Sequence, residues 1–283
     1  MCPRACNIDR SVLSGFCGSN DKLKVGKIML HEWEEPILAH KNSGAIFFSN
    51  CPLKCIFCQN VEISQGGKGK EITVKELVDI MKLLEQKGAE NIDLVSPTQY
   101  TDQIVEALKI YKPSVPVVWN SNGYETIESL EKLKGLVDIF LVDLKYVNPK
   151  ISTEYSKCAD YFEKTSKAIL KMRELQPLDL FSEDKLTKGM IVRHLVLPNC
   201  YLDTKLVLKW IKEKLGTHTI ISVMSQYVPY FEAKNHPKLN RKLTESEYNK
   251  VANLVIDFGF NNGFLQDLNS ADECYIPDFE IIF

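Results

Sequence analysis

The sequence predicts an α/β protein: a partial (βα)6 TIM-like barrel with an N-terminal cysteine-containing extension. After about residue 44, short apolar runs alternate with amphipathic helical segments, which is the pattern of a parallel sheet with helical crossovers. The first β-α turn carries cysteines where a dinucleotide-binding fold would carry glycines, so a partial barrel is favoured over an open doubly wound sheet. Polar residues recur at the carboxyl ends of the predicted strands, where barrel enzymes place their chemistry.

Six apolar runs account for the predicted strands. They are continuous rather than alternating, as expected for parallel strands that are covered on both faces. The runs are Ala45–Ser49, Ile92–Ser96, Val115–Trp119, Asp138–Leu144, Met190–Leu197 and Thr219–Met224.

Capping boxes predict the start of two helices, at Thr73-Val-Lys-Glu76 and at Thr244-Glu-Ser-Glu247. Apolar residues at helical spacing predict four more helices, over residues 102–111, around 130–135, over 153–175 and over 206–215.

The rest of the chain divides around this barrel. We expect an extension over residues 1–43, the barrel over 44–263 and a C-terminal tail over 264–283 that packs on the barrel. The extension and the tail are predicted to be irregular, and the charged stretch Asp179–Lys188 is predicted to be an exposed loop. The acidic residues Glu32, Glu34 and Glu35 around Trp33 are predicted to be a solvated stretch, with a position folded over the barrel left open, and to have no catalytic role.

Composition excludes several classes of function. The 283 residues are 45% hydrophobic and 25% charged, which is typical of a globular protein. The net charge is −2, from 35 basic and 37 acidic residues without a long run of either sign, so we expect no nucleic-acid partner and no membrane partner. No apolar run approaches the ~18 residues of a membrane span, and the N-terminus has no signal-peptide pattern. A cytoplasmic protein is therefore expected.

The cysteines carry the strongest functional signal. Nine are present, and six of them precede residue 59. The motif Cys51-Pro-Leu-Lys-Cys55-Ile-Phe-Cys58 directly follows the first predicted strand. Three thiolates can bind three irons of a [4Fe-4S] cluster and leave the fourth iron open to a substrate or cofactor, because such clusters normally take four thiolates. The alternatives are a structural zinc site and a redox-sensing group of thiols.

This motif, Cys-x3-Cys-x-aromatic-Cys after the first strand of a βα barrel, resembles the radical S-adenosylmethionine (SAM) superfamily. The resemblance implies that the open iron binds SAM and that one electron from the cluster cleaves SAM to a 5′-deoxyadenosyl radical, which abstracts hydrogen from a substrate. The segment Ser43–Ser49 and the pair Gln59-Asn60 resemble pyruvate formate-lyase activating enzymes, which abstract hydrogen from a backbone glycine of a partner protein. A flavodoxin- or ferredoxin-type electron donor is then implied.

The resemblance also implies a SAM pocket at the strand ends. Ser96-Pro-Thr-Gln-Tyr100 occupies the position of a Gly-Gly-Glu stretch in many family members, and Asp143-Leu-Lys145 resembles the Asp-Leu-Lys of the activating enzymes. Phe57 is expected to pack against the adenine or to shield the cluster, and a plain core position is the alternative. The candidate cofactor-binding residues are Phe57, Ser96, Thr98, Asn120, Asn122, Asp143, Lys145, Arg193 and Gln226.

Structural alternatives remain for several of these residues. Asn122 can belong to a simple turn, since Asn-Gly is a common turn pair. Asp143 and Lys145 can form a structural ion pair. Arg193 and His194 cannot both point into the pocket, because neighbours in a strand face opposite ways. We expect Arg193 to face SAM. Whether His194 has a role in the pocket is left undecided at this point.

A second metal site is predicted from Cys2, Cys6 and Cys17, which lie close together in a segment rich in turns. Zinc and an auxiliary iron–sulfur cluster both fit, and free thiols are the alternative. Zinc would need a fourth ligand, for which His31, His40 and Cys274 are distant in sequence. For the whole protein, modification of another peptide or small molecule and a non-catalytic iron–sulfur redox or sensor protein remain as alternatives.

Overall fold

The computed structural model describes residues 2–32, 35, 37–271 and 279. The strands in these residues are β1 Leu23–His31, β2 Ser43–Phe48, β3 Lys70–Ile72, β4 Asn91–Val95, β5 Val117–Ser121, β6 Ile139–Asp143, β7 Leu180–Ser182, β8 Lys185–Leu195, β9 Ile220–Met224 and β10 Gly263–Leu265. The α-helices are α1 Val61–Ser64, α2 Val74–Gln86, α3 Thr101–Ile110, α4 Ile127–Glu131, α5 Pro149–Ser156, α6 Tyr161–Leu175, α7 Tyr201–Leu215 and α8 Glu245–Asp257.

The six predicted strands are present as β2, β4, β5, β6, β8 and β9, and they pair in chain order, each parallel to the next. Each connection between them therefore steps in the same direction, and right-handed crossovers then place the connecting helices on one face of the sheet. The full order is β10-β9-β8-β6-β5-β4-β2-β1-β3, so the sheet is open, with edges at β3 and β10. The α/β class with a parallel sheet is confirmed, whereas a partial barrel remains a prediction.

The two faces of the sheet have different neighbours. On one face, alternate strand residues such as Trp119 and Val142 join the large apolar cluster that includes the helices. On the other face, Val118 and Leu141 belong to a smaller cluster with Leu38 from the segment after β1. Because side chains alternate along a strand, Asn120, Asp143 and Arg193 lie on this second face, at the carboxyl ends of β5, β6 and β8.

The N-terminal extension is not irregular throughout, which corrects the prediction. β1 pairs antiparallel with β2 on one side and with β3 on the other. Leu23 and Val25 are buried in the main cluster, which explains why this segment joins the sheet. In the predicted tail, β10 pairs parallel with β9, and Phe279 packs edge-on against Phe47. Residues 272–278, which include Cys274, and residues 280–283 lie outside the described residues.

Two further predictions need correction. The stretch Asp179–Lys188 is a hairpin rather than a loop, because β7 pairs with the start of β8 across a turn at Glu183, whose φ is +54°. The helix predicted over residues 153–175 is two helices, α5 and α6, separated at Lys157, whose φ of +53° lies in the left-handed region.

Both predicted capping boxes are confirmed. Thr73 at α2 and Thr244 at α8 each accept a hydrogen bond from the third residue of the helix, and the glutamate at that position accepts one from the threonine backbone. No helix in the described part of the chain is long and apolar enough to cross a membrane.

Candidate active site

The segment Cys51–Cys58, called the cysteine loop below, follows β2 and is held by the carboxyl end of α5. The backbone N–H groups of Lys54 and Ile56 donate hydrogen bonds to the carbonyls of Ser156 and Tyr155, at 3.3 and 2.9 Å. Because α5 ends at Ser156, these two carbonyls are not used by hydrogen bonds within a continuing helix. Three further bonds of 2.9 Å hold the loop, from Gln65 Nε2 to the Cys55 carbonyl, from the Ala233 N–H to the Ile56 carbonyl and from Arg4 Nε to the Pro52 carbonyl.

The three thiols of this loop are poorly solvated. Burial raises the pKa of Cys55 to about 11, and it also raises the pKa of Cys51 and of Cys58. The positive charge of Lys145 opposes burial and lowers the pKa at each of the three sulfurs. Lys145 is therefore placed to compensate negative charge that develops on these sulfurs when they bind metal as thiolates.

A cavity of about 220 Å³ opens beside the cysteine loop at the carboxyl ends of the parallel strands. The sequence-predicted residues that line it are Cys51, Cys55, Phe57, Cys58, Ser96, Asn120, Asn122, Asp143, Lys145, Arg193 and Gln226. Parallel strands that are adjacent in chain order bring their carboxyl ends to one edge of the sheet, which is why residues so distant in sequence share one cavity.

Asp143 is the centre of the charged network in this cavity. Its Oδ2 lies 2.7 Å from Lys145 Nζ, and its Oδ1 lies 3.0 Å from Arg193 Nε. The side chains of Asp143, Lys145 and Arg193 are 13%, 16% and 16% exposed. Burial raises the pKa of Asp143, but the charges of Lys145 and Arg193 outweigh it and leave this pKa below its usual value. The carboxylate is therefore ionised at neutral pH, and it offsets part of the positive charge of Lys145 and Arg193.

Asn120 extends the network into the sheet. Arg193 donates from its second terminal nitrogen to Asn120 Oδ1 at 2.6 Å, and Asn120 Nδ2 donates to Asp93 Oδ2 at 3.0 Å. Asp93 is buried on the neighbouring strand β4 and was not singled out by sequence. A buried aspartate inside an apolar strand is the signal that could have found it.

Glu35 corrects the expectation of a solvated acidic stretch. Its side chain is 9% exposed, and its carboxylate lies 3.8 Å from Arg193. Glu35 therefore lies at the strand ends and contributes a carboxylate to the charged network. Trp33 and Glu34 lie outside the described residues.

Thr98 does not line the cavity. It is buried, and its hydroxyl donates to Glu125 Oε1 at 2.7 Å. Trp119 donates to the same oxygen at 3.1 Å, and burial raises the pKa of Glu125 to about 7. Thr98 therefore belongs to a buried polar cluster behind the strand ends.

Gln99 is a residue of this motif that sequence reasoning did not single out. Its Nε2 lies within 3.0 Å of the carbonyls of Ser49, Asn50 and Ser96 and donates to them. Both Asn50 and Ser96 have positive φ, at +70° and +57°. Gln99 thus stabilises strained turns at the ends of β2 and β4, one of which presents Ser96 to the cavity.

His194 points away from the cavity, as the alternation with Arg193 requires. It is buried, with Nδ1 2.8 Å from the Leu144 carbonyl and Nε2 3.0 Å from Thr204 Oγ1. A neutral ring that donates from Nδ1 and accepts at Nε2 satisfies both partners. Burial lowers the pKa of His194 to about 4.

We expect His194 to make the protein less stable in acid. Between pH 6.5 and 4 the unfolded histidine binds a proton that the folded one rejects, so the free energy of unfolding falls by about 3 kcal/mol across this window. His194→Gln should show a shallower fall in urea unfolding measured at several pH values. His40→Gln, which changes an exposed histidine, should retain the wild-type slope, and an unchanged slope in His194→Gln would contradict the assignment.

Comparison with known proteins identifies the family. Residues 45–181 match the family model of the Radical SAM superfamily. A protein of Methanocaldococcus jannaschii described as uncharacterised is 34% identical over 266 residues, which cover 90% of this chain and 73% of that protein. The chain belongs to the radical SAM superfamily. Its members are enzymes, and the family implies a [4Fe-4S] cluster and SAM.

Two relatives of this radical SAM protein are named as activating enzymes. One, from M. jannaschii, is named as a glycyl-radical enzyme activating enzyme and is 32% identical over 138 residues, which are 48% of this chain and 56% of the relative. The other is a pyruvate formate-lyase-activating enzyme of Listeria monocytogenes, 27% identical over 117 residues, which are 37% of this chain and 47% of the relative. The chain thus spans about half the length of each.

Solved structures share the fold of this radical SAM protein. Streptococcus suis SuiB bound to its precursor peptide SuiA has a TM-score of 0.53 and 15% identity, and the match covers 78% of this chain and 48% of that one. The maturase HydG of Carboxydothermus hydrogenoformans has a TM-score of 0.51 and 15% identity, with 79% and 53% covered.

The residues at the cysteine loop fit an iron–sulfur cluster. The donors are three thiols, the ligand type that iron–sulfur clusters use. Each thiolate of a [4Fe-4S] cluster binds a different iron, so the sulfurs need not converge on one point. Within the described ranges, no three Cys, His, Asp or Glu side chains are arranged to hold a single metal ion.

The N-terminal segment that carries the other three clustered cysteines contacts the cysteine loop through Arg4 and the Pro52 carbonyl. Cys17 is buried, and its sulfur is 3.4 Å from an Arg10 guanidinium nitrogen and 2.9 Å from Ser19 Oγ. The sulfur of Cys6 accepts a hydrogen bond from the Phe16 N–H at 3.3 Å. Burial raises the pKa of Cys2, and the nearby thiols Cys17 and Cys6 raise it further. The three cysteines therefore share one neighbourhood, although the single-ion arrangement is absent among the described side chains.

Proposed function

We propose that Cys51, Cys55 and Cys58 bind a [4Fe-4S] cluster and that the adjoining cavity binds SAM, so that the protein cleaves SAM reductively and abstracts hydrogen from a substrate. One observation carries this proposal: the three thiols and eight of the nine candidate cofactor-binding residues line the same cavity. When bound, the cluster supplies the electron for SAM cleavage.

The charged network suits the polar end of SAM. The methionine part of SAM carries an ammonium and a carboxylate, which match the carboxylate of Asp143 and the cations Lys145 and Arg193. Charge-assisted hydrogen bonds of this kind are the strong ones in proteins. Because Asp143 already holds both cations in place, the side chains are oriented before a ligand arrives. Phe57, Gln226 and Asn122 offer an apolar face and amide groups to the rest of the ligand.

We infer that the substrate is a protein or peptide. The support is that two relatives are named as activating enzymes, whose targets are proteins, and that SuiB, which shares the fold, was solved with a precursor peptide. Activation of a glycyl radical enzyme is the specific form of this proposal, with a flavodoxin- or ferredoxin-type protein as electron donor. Radical modification of another peptide or of a small molecule is the alternative substrate class.

A spectroscopic experiment tests the proposal. The full chain is reconstituted anaerobically with iron and sulfide, and its reduced EPR spectrum is recorded with and without SAM. An open iron predicts a cluster signal that changes when SAM is added, followed by formation of 5′-deoxyadenosine with dithionite as reductant. A cluster signal that is indifferent to SAM would support the non-catalytic alternative, an electron carrier or redox sensor, and overturn the proposal.

A second metal at Cys2, Cys6 and Cys17 remains a prediction. A short segment with few buried apolar residues gains little from burial, and a metal would supply folding free energy. The segment also has structural bonds to the site, from Arg4 to the Pro52 carbonyl at 2.9 Å and from Arg10 to the Gln99 carbonyl at 3.2 Å. Deleting residues 1–20 would remove these bonds together with the thiols.

Substitution of the three thiols is therefore the sharper test. We expect a variant with Cys2, Cys6 and Cys17 all changed to serine to contain less metal per chain than wild type, while SAM cleavage at the cysteine loop survives at least in part. Metal analysis for iron and zinc after identical reconstitution provides the measurement. Equal metal content in the two proteins would show that these cysteines bind none.

A further inference from the structure

Each sulfur of the cysteine loop contacts one polar side chain from outside the loop. These side chains come from three different places, the turn after β5, the last residue of α5 and the last residue of α1. The pairs are Cys51 with Asn122 Nδ2 at 3.4 Å, Cys55 with Ser156 Oγ at 3.0 Å and Cys58 with Ser64 Oγ at 3.2 Å.

The direction of these hydrogen bonds follows from the chemistry of a metal ligand. A thiolate has no proton, so it can only accept, and the serine hydroxyls must donate. Asn122 is also a donor to its sulfur. Its Oδ1 accepts a hydrogen bond from the Tyr124 N–H at 3.0 Å, so its amide nitrogen faces Cys51. The surroundings thus offer one donor to each cluster-binding sulfur.

Ser156 has a further partner behind it. Its Oγ lies 2.9 Å from the Tyr146 hydroxyl, and both residues are buried, at 0% and 1% exposure. When Ser156 donates its only hydroxyl hydrogen to Cys55, its oxygen must accept from Tyr146. The result is a chain of hydrogen bonds from Tyr146 through Ser156 to Cys55, in which each bond polarises the next.

We propose that Ser64 and Ser156, with Tyr146 behind Ser156, are positioning residues that raise the reduction potential of the cluster. The inference rests on the proposed function and concerns how easily the cluster accepts its electron. Reduction adds one electron from an external low-potential donor, with no bond made or broken, and the added charge is shared by the cysteine sulfurs. Donors at those sulfurs stabilise the reduced form more than the oxidised one.

The test is the midpoint potential of the reconstituted full-length protein, measured by EPR during titration with dithionite and redox mediators. For Ser156→Ala we expect a more negative potential, with the equilibrium constant for reduction about tenfold smaller, which is 59 mV for a one-electron couple. Ser64→Ala should shift the potential in the same direction at a separate sulfur. Tyr146→Phe should give a smaller shift with the same sign, since it weakens the Ser156 bond without removing it.

Ser152→Ala is the matched control. Ser152 lies in the same helix α5, is 1% exposed, and bonds to the Pro149 carbonyl rather than to a sulfur. It should retain the wild-type potential although it also loses a buried hydroxyl. If Ser156→Ala does not fold, Ser64→Ala and Tyr146→Phe decide the question by the same measurement.

The outcomes separate the two proposals. A wild-type chain that takes up no cluster overturns the proposed function. In a second outcome, the cluster forms normally and has the same midpoint potential in wild type, Ser64→Ala and Ser156→Ala. That result would overturn only the proposed role of the hydrogen bonds. A shift in Ser152→Ala as large as that in Ser156→Ala would also overturn it, because the effect would then follow from packing.

Discussion

Replacing Cys55 with alanine is expected to reduce cluster content and to abolish SAM cleavage, with 5′-deoxyadenosine formation falling to background. The substitution removes one of three thiolates, so an iron of the cluster loses its protein ligand. Cys55 is central to the loop, where its sulfur contacts Ser156 and its carbonyl is held by Gln65. Cys51→Ala and Cys58→Ala should give the same result. Iron and sulfide per chain, measured after anaerobic reconstitution, and product formation provide the readouts.

Cys200→Ala is the control for this experiment. Cys200 is also a buried free thiol, but it lies just before α7 and outside the cysteine loop. Its variant should bind a full cluster and cleave SAM at the wild-type rate. Full SAM cleavage by Cys55→Ala would disprove the assignment of the cluster ligands.

Replacing Asp143 with alanine is expected to weaken SAM binding and to destabilise the fold. Each charge-assisted contact contributes about 1.5–3 kcal/mol, so the dissociation constant for SAM should rise roughly 10- to 100-fold. The substitution also leaves Lys145 and Arg193, both mostly buried, without their shared carboxylate. Removing one partner of a buried ion pair costs about 3–5 kcal/mol, which urea unfolding would detect.

Three other residues that line the cavity test the SAM pocket while Asp143 stays in place. Asn122→Ala, Lys145→Ala and Arg193→Ala should each weaken SAM binding while the cluster still forms. Lys112→Ala serves as control, because it breaks the Lys112–Asp138 pair at the opposite end of the sheet, where Lys112 is 38% exposed. Such surface pairs contribute about 0–1 kcal/mol, and SAM affinity should not change. Unchanged SAM affinity in Asp143→Ala and in these three variants would mean that the four residues are structural polar groups.

The sequence predicts the central strands well because their signal is local. A continuous apolar run marks a strand covered on both faces, and all six such runs are strands of the sheet. β1 gives a weaker signal, because Lys24, Gly26 and Lys27 interrupt its apolar residues, and its place depends on pairing with β2. The break at Lys157 carries no glycine or proline to mark it, and the apolar spacing continues across it.

The candidate site likewise contains residues with a local sequence signal and residues without one. The three cysteines are contained in one short motif, and the polar strand ends share a cavity because parallel strands meet at one edge. Glu35 and Thr98 could not be placed from sequence, since their positions depend on how distant segments pack. Glu35 approaches Arg193 from the segment after β1, and Thr98 turns to Glu125, 27 positions away in the chain. Ser64 and Ser156 had no motif of their own.

The anchoring of the cysteine loop bears on how the protein matures and survives exposure to air. Its backbone is held by α5, by Gln65 and by Ala233 through groups other than the cysteine sulfurs. We therefore expect the loop to keep its shape without iron, unlike zinc fingers, in which metal binding and folding are one event. A chain whose cluster has been destroyed by oxygen should stay folded and accept a new one once its thiols are reduced. Repair then requires only iron, sulfide and reductant, and no new synthesis of the protein.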